Sequence, residues 1–204
     1  MDKQEVAEWI FDYSIEPLIR KHGPKGYSDP ASYKPWLRDE FTFRCIYCLI
    51  REVWRSDGQD SFSVVHLKSR DGSPELTGVY QNLGYACLAC YSRKQNLPLP
   101  FDPCAEPLGR HITMKPNGEL EAATENGKRL IELCRLNRKR LVEFRQRMIS
   151  LVQVLEMSDD VKAAESLRTL TDLPSDLPNL SVLRPPGGND NSDGIKQSYF
   201  AKKD

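Results

Sequence analysis

The stretches FSVVH (62–66) and NLGYACLACYSRK (82–94) decide how this chain is read. In the first, β-branched residues run into His66, as in a strand. In the second, Cys87 and Cys90 form a Cys-x2-Cys pair, and a short helix bearing Arg93 and Lys94 is expected to open after it. A matching pair, Cys45 and Cys48, lies upstream in FRCIYCLI (43–50), with 38 residues between the pairs. Four thiolates suit tetrahedral Zn2+, because the short turn within each pair aims both sulfurs at one ion, which then ties two distant segments together. Such a site leaves no coordination position open. A zinc held there is expected to be structural, its binding energy serving as folding energy. Cys104 and Cys134 stand alone and read as buried thiols acting as small hydrophobes.

The 204-residue chain is 39 % hydrophobic and 28 % charged, and its 29 Lys+Arg balance 29 Asp+Glu. That composition belongs to a soluble globular protein and excludes a fibrous or wholly disordered one. Zero net charge names no partner. No apolar run reaches the roughly 18–20 residues of a membrane span, and the N-terminal segment mixes acids among its apolar positions, so a cytoplasmic, unprocessed protein is expected. Tight cysteine pairs agree with a reducing compartment.

Val6, Ile10, Tyr13 and Leu18 lie at near-helical spacing until Gly23 and Pro24, which predicts an N-terminal helix within 3–21. YKPWLRDEF (33–41) predicts a short helix opening at Pro35. FRCIYCLI reads as a strand, and SFSVVHLKS (61–69) as its hairpin partner. HITMKPNGELEAAT (111–124) alternates around Asn117-Gly118, the signature of a second β-hairpin. Residues 126–157 read as helical, with Asn137 as an N-cap and Leu141, Phe144, Met148, Leu151 and Leu155 as one buried face. A further short helix fits 158–170. From Thr171 onward Pro, Gly, Asn, Ser and Asp dominate, which predicts a mobile tail.

Together FRCIYC, FSVVHLKS and YQNLGYACLACYSRK (80–94) resemble the HNH endonucleases of the bacterial type with a four-cysteine zinc knot. The pattern of that family is Cys-x2-Cys, an Asp-His pair, Asn-Leu, then Cys-x2-Cys-Asn-x2-Lys. The resemblance covers roughly residues 33–147 and is specific in the cysteines, His66, Asn82 and Leu83. It implies an α+β fold: a ββα-metal unit with a four-cysteine zinc knot, flanked by N-terminal and C-terminal helices. The implied organisation is an N-terminal helix and loop (1–32), the zinc-knot ββα unit (33–104), a hairpin and helical extension (105–170) and a disordered tail (171–204). Metal-assisted hydrolysis of DNA phosphodiester bonds is the implied activity, and defence against foreign DNA, including phage, the implied setting.

Carried over by position, His66 is the general base that activates water and Asn82 braces the loop that orients it. A divalent ion, Mg2+ or Mn2+, would stabilise charge on the phosphate. Two positions depart from the pattern. Val65 stands where the metal-binding Asp is expected, and Tyr91 where the second ligand, Asn or His, is expected. Valine has no donor atom, and a tyrosine hydroxyl is a poor ligand for a hard cation. Asp71, Glu75 and Asn96 are the nearest residues in sequence from which such a site could be rebuilt.

Residues 128–147 hold eight Lys/Arg against Glu132 and Glu143, an excess of six. They read equally as a phosphate-binding segment and as a solvated helix face. Nearer the histidine, Arg44, Arg70, Arg93 and Lys94 are the candidate contacts to a nucleic-acid backbone. Three functions remain open from sequence: an HNH endonuclease, a zinc-stapled nucleic-acid-binding protein that has lost the chemistry, and a subunit that works with a protein partner such as an ATPase.

Overall fold

The computed structural model describes residues 1–203. Helix α1 (Lys3–Ile10) begins at Asp2, whose carboxylate accepts from the amides of Gln4 and Glu5 while the Glu5 side chain accepts from the Asp2 amide. This reciprocal cap satisfies amides that the first turn leaves unpaired. The helix stops at Ile10, short of Tyr13 and Leu18. Pro17 lacks a donor and disfavours helix at the residue before it, so the apolar spacing does not continue as helix.

Two compact units make up the fold. The first comprises Met1–Leu18, Tyr47–Leu49 and Pro100–Asp172. In it, β3 (Ile112–Met114) pairs antiparallel with β4 (Leu120–Ala122), the hairpin predicted around Asn117-Gly118. Gly118 has φ +80°, a left-handed conformation that costs glycine little. The helical stretch after it divides at Arg135, φ +47°, into α4 (Glu125–Leu133) and α5 (Lys139–Glu156). Asn137 is not the N-cap. Its Oδ1 accepts from the Leu120 amide at 2.8 Å and its Nδ2 donates to the Leu120 carbonyl at 2.7 Å, so the side chain pairs with the edge of β4 as a neighbouring strand would.

The buried face of α5 also differs from the spacing prediction. It consists of Leu141, Arg145, Met148, Ile149 and Val152, while Leu151 is exposed. Helix α5 packs on both α1 and α6 (Val161–Thr171), and two neighbours select a different face from the simple apolar stripe.

The second unit comprises Ile19–Ile46, Ile50–Leu99 and the chain from Leu173 onward. Here α2 (Lys34–Glu40) follows a 3-10 turn over Pro30–Tyr33, as predicted near Pro35. Strand β1 (Phe62–His66) pairs antiparallel with β2 (Leu83–Cys87), and α3 (Leu88–Lys94) packs on both strands. The partner of β1 is therefore not FRCIYCLI. That segment is a turn, closed by the Cys45 amide donating to the Ile50 carbonyl at 2.9 Å and joined to β2 by Ile46 N to Tyr85 O at 2.8 Å.

Three consecutive charged residues of α2 are buried: Arg38, Asp39 and Glu40. Arg38 makes a two-pronged ion pair with Glu52 (3.0 and 2.8 Å) and bonds the Asp176 carboxylate at 2.9 Å. Asp39 accepts from His22 Nε2 at 2.8 Å and from the Tyr199 amide at 2.7 Å. Glu40 accepts from the amides of Lys21 and His22 and from the Tyr80 hydroxyl. Each buried charge is thereby matched by donors or acceptors, without which it would be costly.

These bonds correct the expectation of a mobile tail from Thr171. Leu180 and Ser198 are buried. Residues 187–190 bond residues 23–25 through Lys25 N to Gly188 O, Gly187 N to Lys25 O and Asp190 N to Gly23 O, each 2.9 Å. The Pro, Gly and Asn content of the segment reflects turns that return the chain to this ladder. Gly194 lies so close to the Lys21 carbonyl that a Cβ there would collide with it. Gly194→Ala is therefore expected to destabilise the second unit by about 2 kcal/mol or more and to speed proteolysis after residue 172. Gly78→Ala, at a position with open space around it, is the control; denaturant melts and limited digestion of both variants check this.

Candidate metal centre

Cys45, Cys48, Cys87 and Cys90 are buried, and their ligand atoms all lie within 4.8 Å of one another. Among the described residues no other His, Cys, Asp or Glu side chains gather in a group of three or more that could hold an ion. The cysteine pairs reach the cluster from different local structures. Cys45 and Cys48 sit in the closed turn, where Leu49 adopts φ +56° after Thr42 and Phe43 at +51° and +57°. Left-handed backbone at non-glycine residues costs about 1–2 kcal/mol each and persists only where the surroundings enforce it. Cys87 ends β2 and immediately precedes α3, and Cys90 lies in the first turn of that helix.

Four thiolates at a zinc distance of about 2.3 Å stand about 3.8 Å apart in a tetrahedron, and the observed cluster is compatible with this donor set. Arg44 and Arg51 form an antiparallel bridge flanking the first pair. Arg51 is buried, and burial together with the neighbouring Arg44 guanidinium pushes its pKa down to about 10. A divalent ion held by four thiolates carries two net negative charges, which would offset these cations. Arg44 is thus placed at the base of the cysteine turn.

His66 ends β1 opposite Leu83. Its Nε2 lies 2.9 Å from the Thr77 carbonyl oxygen. A carbonyl only accepts, so Nε2 carries the hydrogen and the neutral ring presents its lone pair on Nδ1. Desolvation by burial lowers the His66 pKa; the Thr77 bond opposes that, while Arg70 and Lys94 add to it. Asn82, buried, holds the intervening loop: its Oδ1 accepts from the Lys68 amide at 2.8 Å and its Nδ2 donates to the Leu76 carbonyl at 3.2 Å. Thr77 and Leu76 carry no sequence signal for these parts, because each contributes only a backbone carbonyl.

Val65 is buried and pairs with Gly84 across the strands, whereas Tyr91 is exposed. Asp71, Glu75 and Asn96 are exposed, and neither acid joins His66 in a cluster of ion-binding side chains. Of the basic candidates, Arg70 is exposed; Arg93 is half-buried and donates to the Ala89 carbonyl at 2.5 Å; Lys94 is buried. The structure thus brings Arg70 and Lys94 to His66 and leaves Arg44 with the cysteines. The buried charges of α2, absent from the sequence reading, had one signal: RDE inside an otherwise apolar short helix.

Comparison with protein-family models, with curated proteins and with solved structures yields no match for the chain. No helix among the described residues is long and apolar enough to cross a membrane.

Two outcomes are expected. The purified protein should carry one tightly held ion; Cys87→Ser or a strong chelator should abolish cooperative unfolding of the β1–β2 hairpin and α3, read by metal analysis and calorimetry. The His66 ring should titrate by NMR below the ordinary 6.5. In the window between its depressed value and about 6.5 the unfolded chain binds more protons than the folded one, so this group's contribution to stability is present above 6.5 and is lost as the pH falls.

Proposed function

We propose that the second unit is a metal-stapled ββα module that binds nucleic-acid phosphodiesters around His66. The observation that carries this reading is the charge around the histidine: Arg70 and Lys94 act on it, and the preceding residue is a buried valine where an acid would be needed to hold a cation. Cationic surroundings, with no carboxylate among the described residues acting on the ring, favour a phosphate over a metal ion. The β-β-α order, the cysteine spacing, and His66 and Asn82 at matching positions support descent from the HNH endonucleases, with zinc as the ion of the cysteine centre. In this reading DNA is the partner.

One observation favours a second reading, that the protein still hydrolyses DNA. The Thr77 bond leaves His66 Nδ1 able to take a proton from water, as a general base must. A divalent ion for such chemistry would need donors other than Val65 and Tyr91, and Asp71 and Glu75 are the candidates from the adjoining loop.

Duplex-DNA binding measured against salt, together with nicking of supercoiled plasmid in Mg2+, Mn2+ or chelator, separates the readings. The expected result is salt-sensitive binding without nicking, with Arg70→Ala lowering the slope of log K against log salt by about one. Metal-dependent nicking that disappears in His66→Ala would establish the second reading instead, and an absence of binding and nicking would sink both.

A further inference from the structure

The corner between α4 and α5 collects positive charge, of which, among the described residues, only Lys139 meets an acid, the exposed Glu143 at 4.0 Å. Helix α5 begins with Arg138 at its cap position, with no side-chain oxygen bonding its first-turn amides and no acid in that turn. Lys139 and Arg140 occupy the turn and Arg135 lies just before it, all three exposed. The end of an 18-residue helix where amides point outward already carries partial positive charge.

A second feature lies beneath the same corner. Arg145 is fully buried, and its Nη1 donates to the carbonyls of Leu136, at 2.9 Å, and Gly118, at 3.3 Å. Leu136 belongs to the turn that enters α5, so the guanidinium reaches back toward the start of the helix, the direction in which helical side chains lean. Its Nε and Nη2 are buried without a hydrogen-bond partner, and no carboxylate pairs with it among the described residues. Buried charge is ordinarily paired, and in a medium of low dielectric an uncompensated one projects its field outward. An anion seated on the corner would supply the missing compensation.

We propose that the α4–α5 corner is a phosphate-binding site for the nucleic-acid backbone, formed by Arg135, Arg138, Lys139 and Arg140 over the buried Arg145. The ligand class rests on the reading of the second unit as a nucleic-acid binder. The corner lies wholly in the first unit and adds contacts that position a strand without reading its bases. Its Arg138 guanidinium also donates to the Arg135 carbonyl at 3.1 Å, and Lys139 lies 4.0 Å from Glu143, an exposed pair that a phosphate can displace at small cost.

The test is anisotropy of a labelled duplex DNA titrated with the full chain over a range of KCl. The triple variant Arg138→Gln, Lys139→Gln, Arg140→Gln is expected to lower the slope of log K against log salt by about two to three and to weaken binding at least about tenfold near 0.15 M salt. Lys139→Glu alone should weaken binding in the same direction, which covers failure of the triple variant to fold. As a control, removing Arg110, Lys162 and Arg168 from the same unit should change the slope by less than one. Wild-type affinity and slope in the triple variant, with Arg70→Ala still weakening binding, would overturn the corner site and leave the His66 reading standing. Equal losses in the control would overturn it as well, since the effect would be one of net charge. No salt-sensitive binding by the unaltered chain would overturn both.

Discussion

The meeting of four sulfurs is the constraint on which the β1–β2 hairpin and α3 depend. Its sheet has two strands, and a two-stranded pair is marginal in water without further support. The first cysteine pair lies in a turn that places Thr42, Phe43 and Leu49 in left-handed backbone, and the second lies where β2 passes into α3. A bound ion would join these two irregular points directly and offset the like charges of Arg44 and Arg51 beside them. The hairpin and its helix then need only a small apolar core.

The position of His66 is fixed by other means. A backbone carbonyl orients its ring and a buried asparagine ties down the loop that supplies the carbonyl. Neither contact involves a metal. The ring is therefore held by protein groups alone, with Nδ1 left free of that bond. Its electrostatic surroundings are positive, through Arg70 and Lys94.

The cysteine cluster and the hairpin at Asn117-Gly118 were legible in the sequence because each is specified by residues a few positions apart. Thiol pairs and a turn that requires positive φ carry their geometry locally. The strand partner of β1 was not legible, since either flanking segment satisfies the β-pattern and only the closed turn at Cys45–Cys48 decides between them. Asn137 was misread because its amide pairs with β4 from seventeen residues away instead of capping the helix beside it. The segment after Thr171 was misread for a related reason. Its composition matches that of unstructured chain, while its order comes from charged and backbone partners in residues 21–39. What holds His66 and Asn82, the carbonyls of Thr77 and Leu76, has no side-chain signature.

The distance along the chain between those partners sets a schedule for biosynthesis. Arg38 finds Asp176 138 residues later, and Asp39 finds the Tyr199 amide 160 residues later. At ordinary translation speeds this separation amounts to on the order of ten seconds or more. During that interval Arg38 and Asp39 have Glu52 and His22 but lack their partners in the C-terminal segment, so the second unit remains incomplete while the first, whose segment from Pro100 to Asp172 emerges earlier, is free to assemble. A ribosome stalled before residue 176 would present a second unit without the segment that ties residues 23–25 and α2, a state open to chaperone capture.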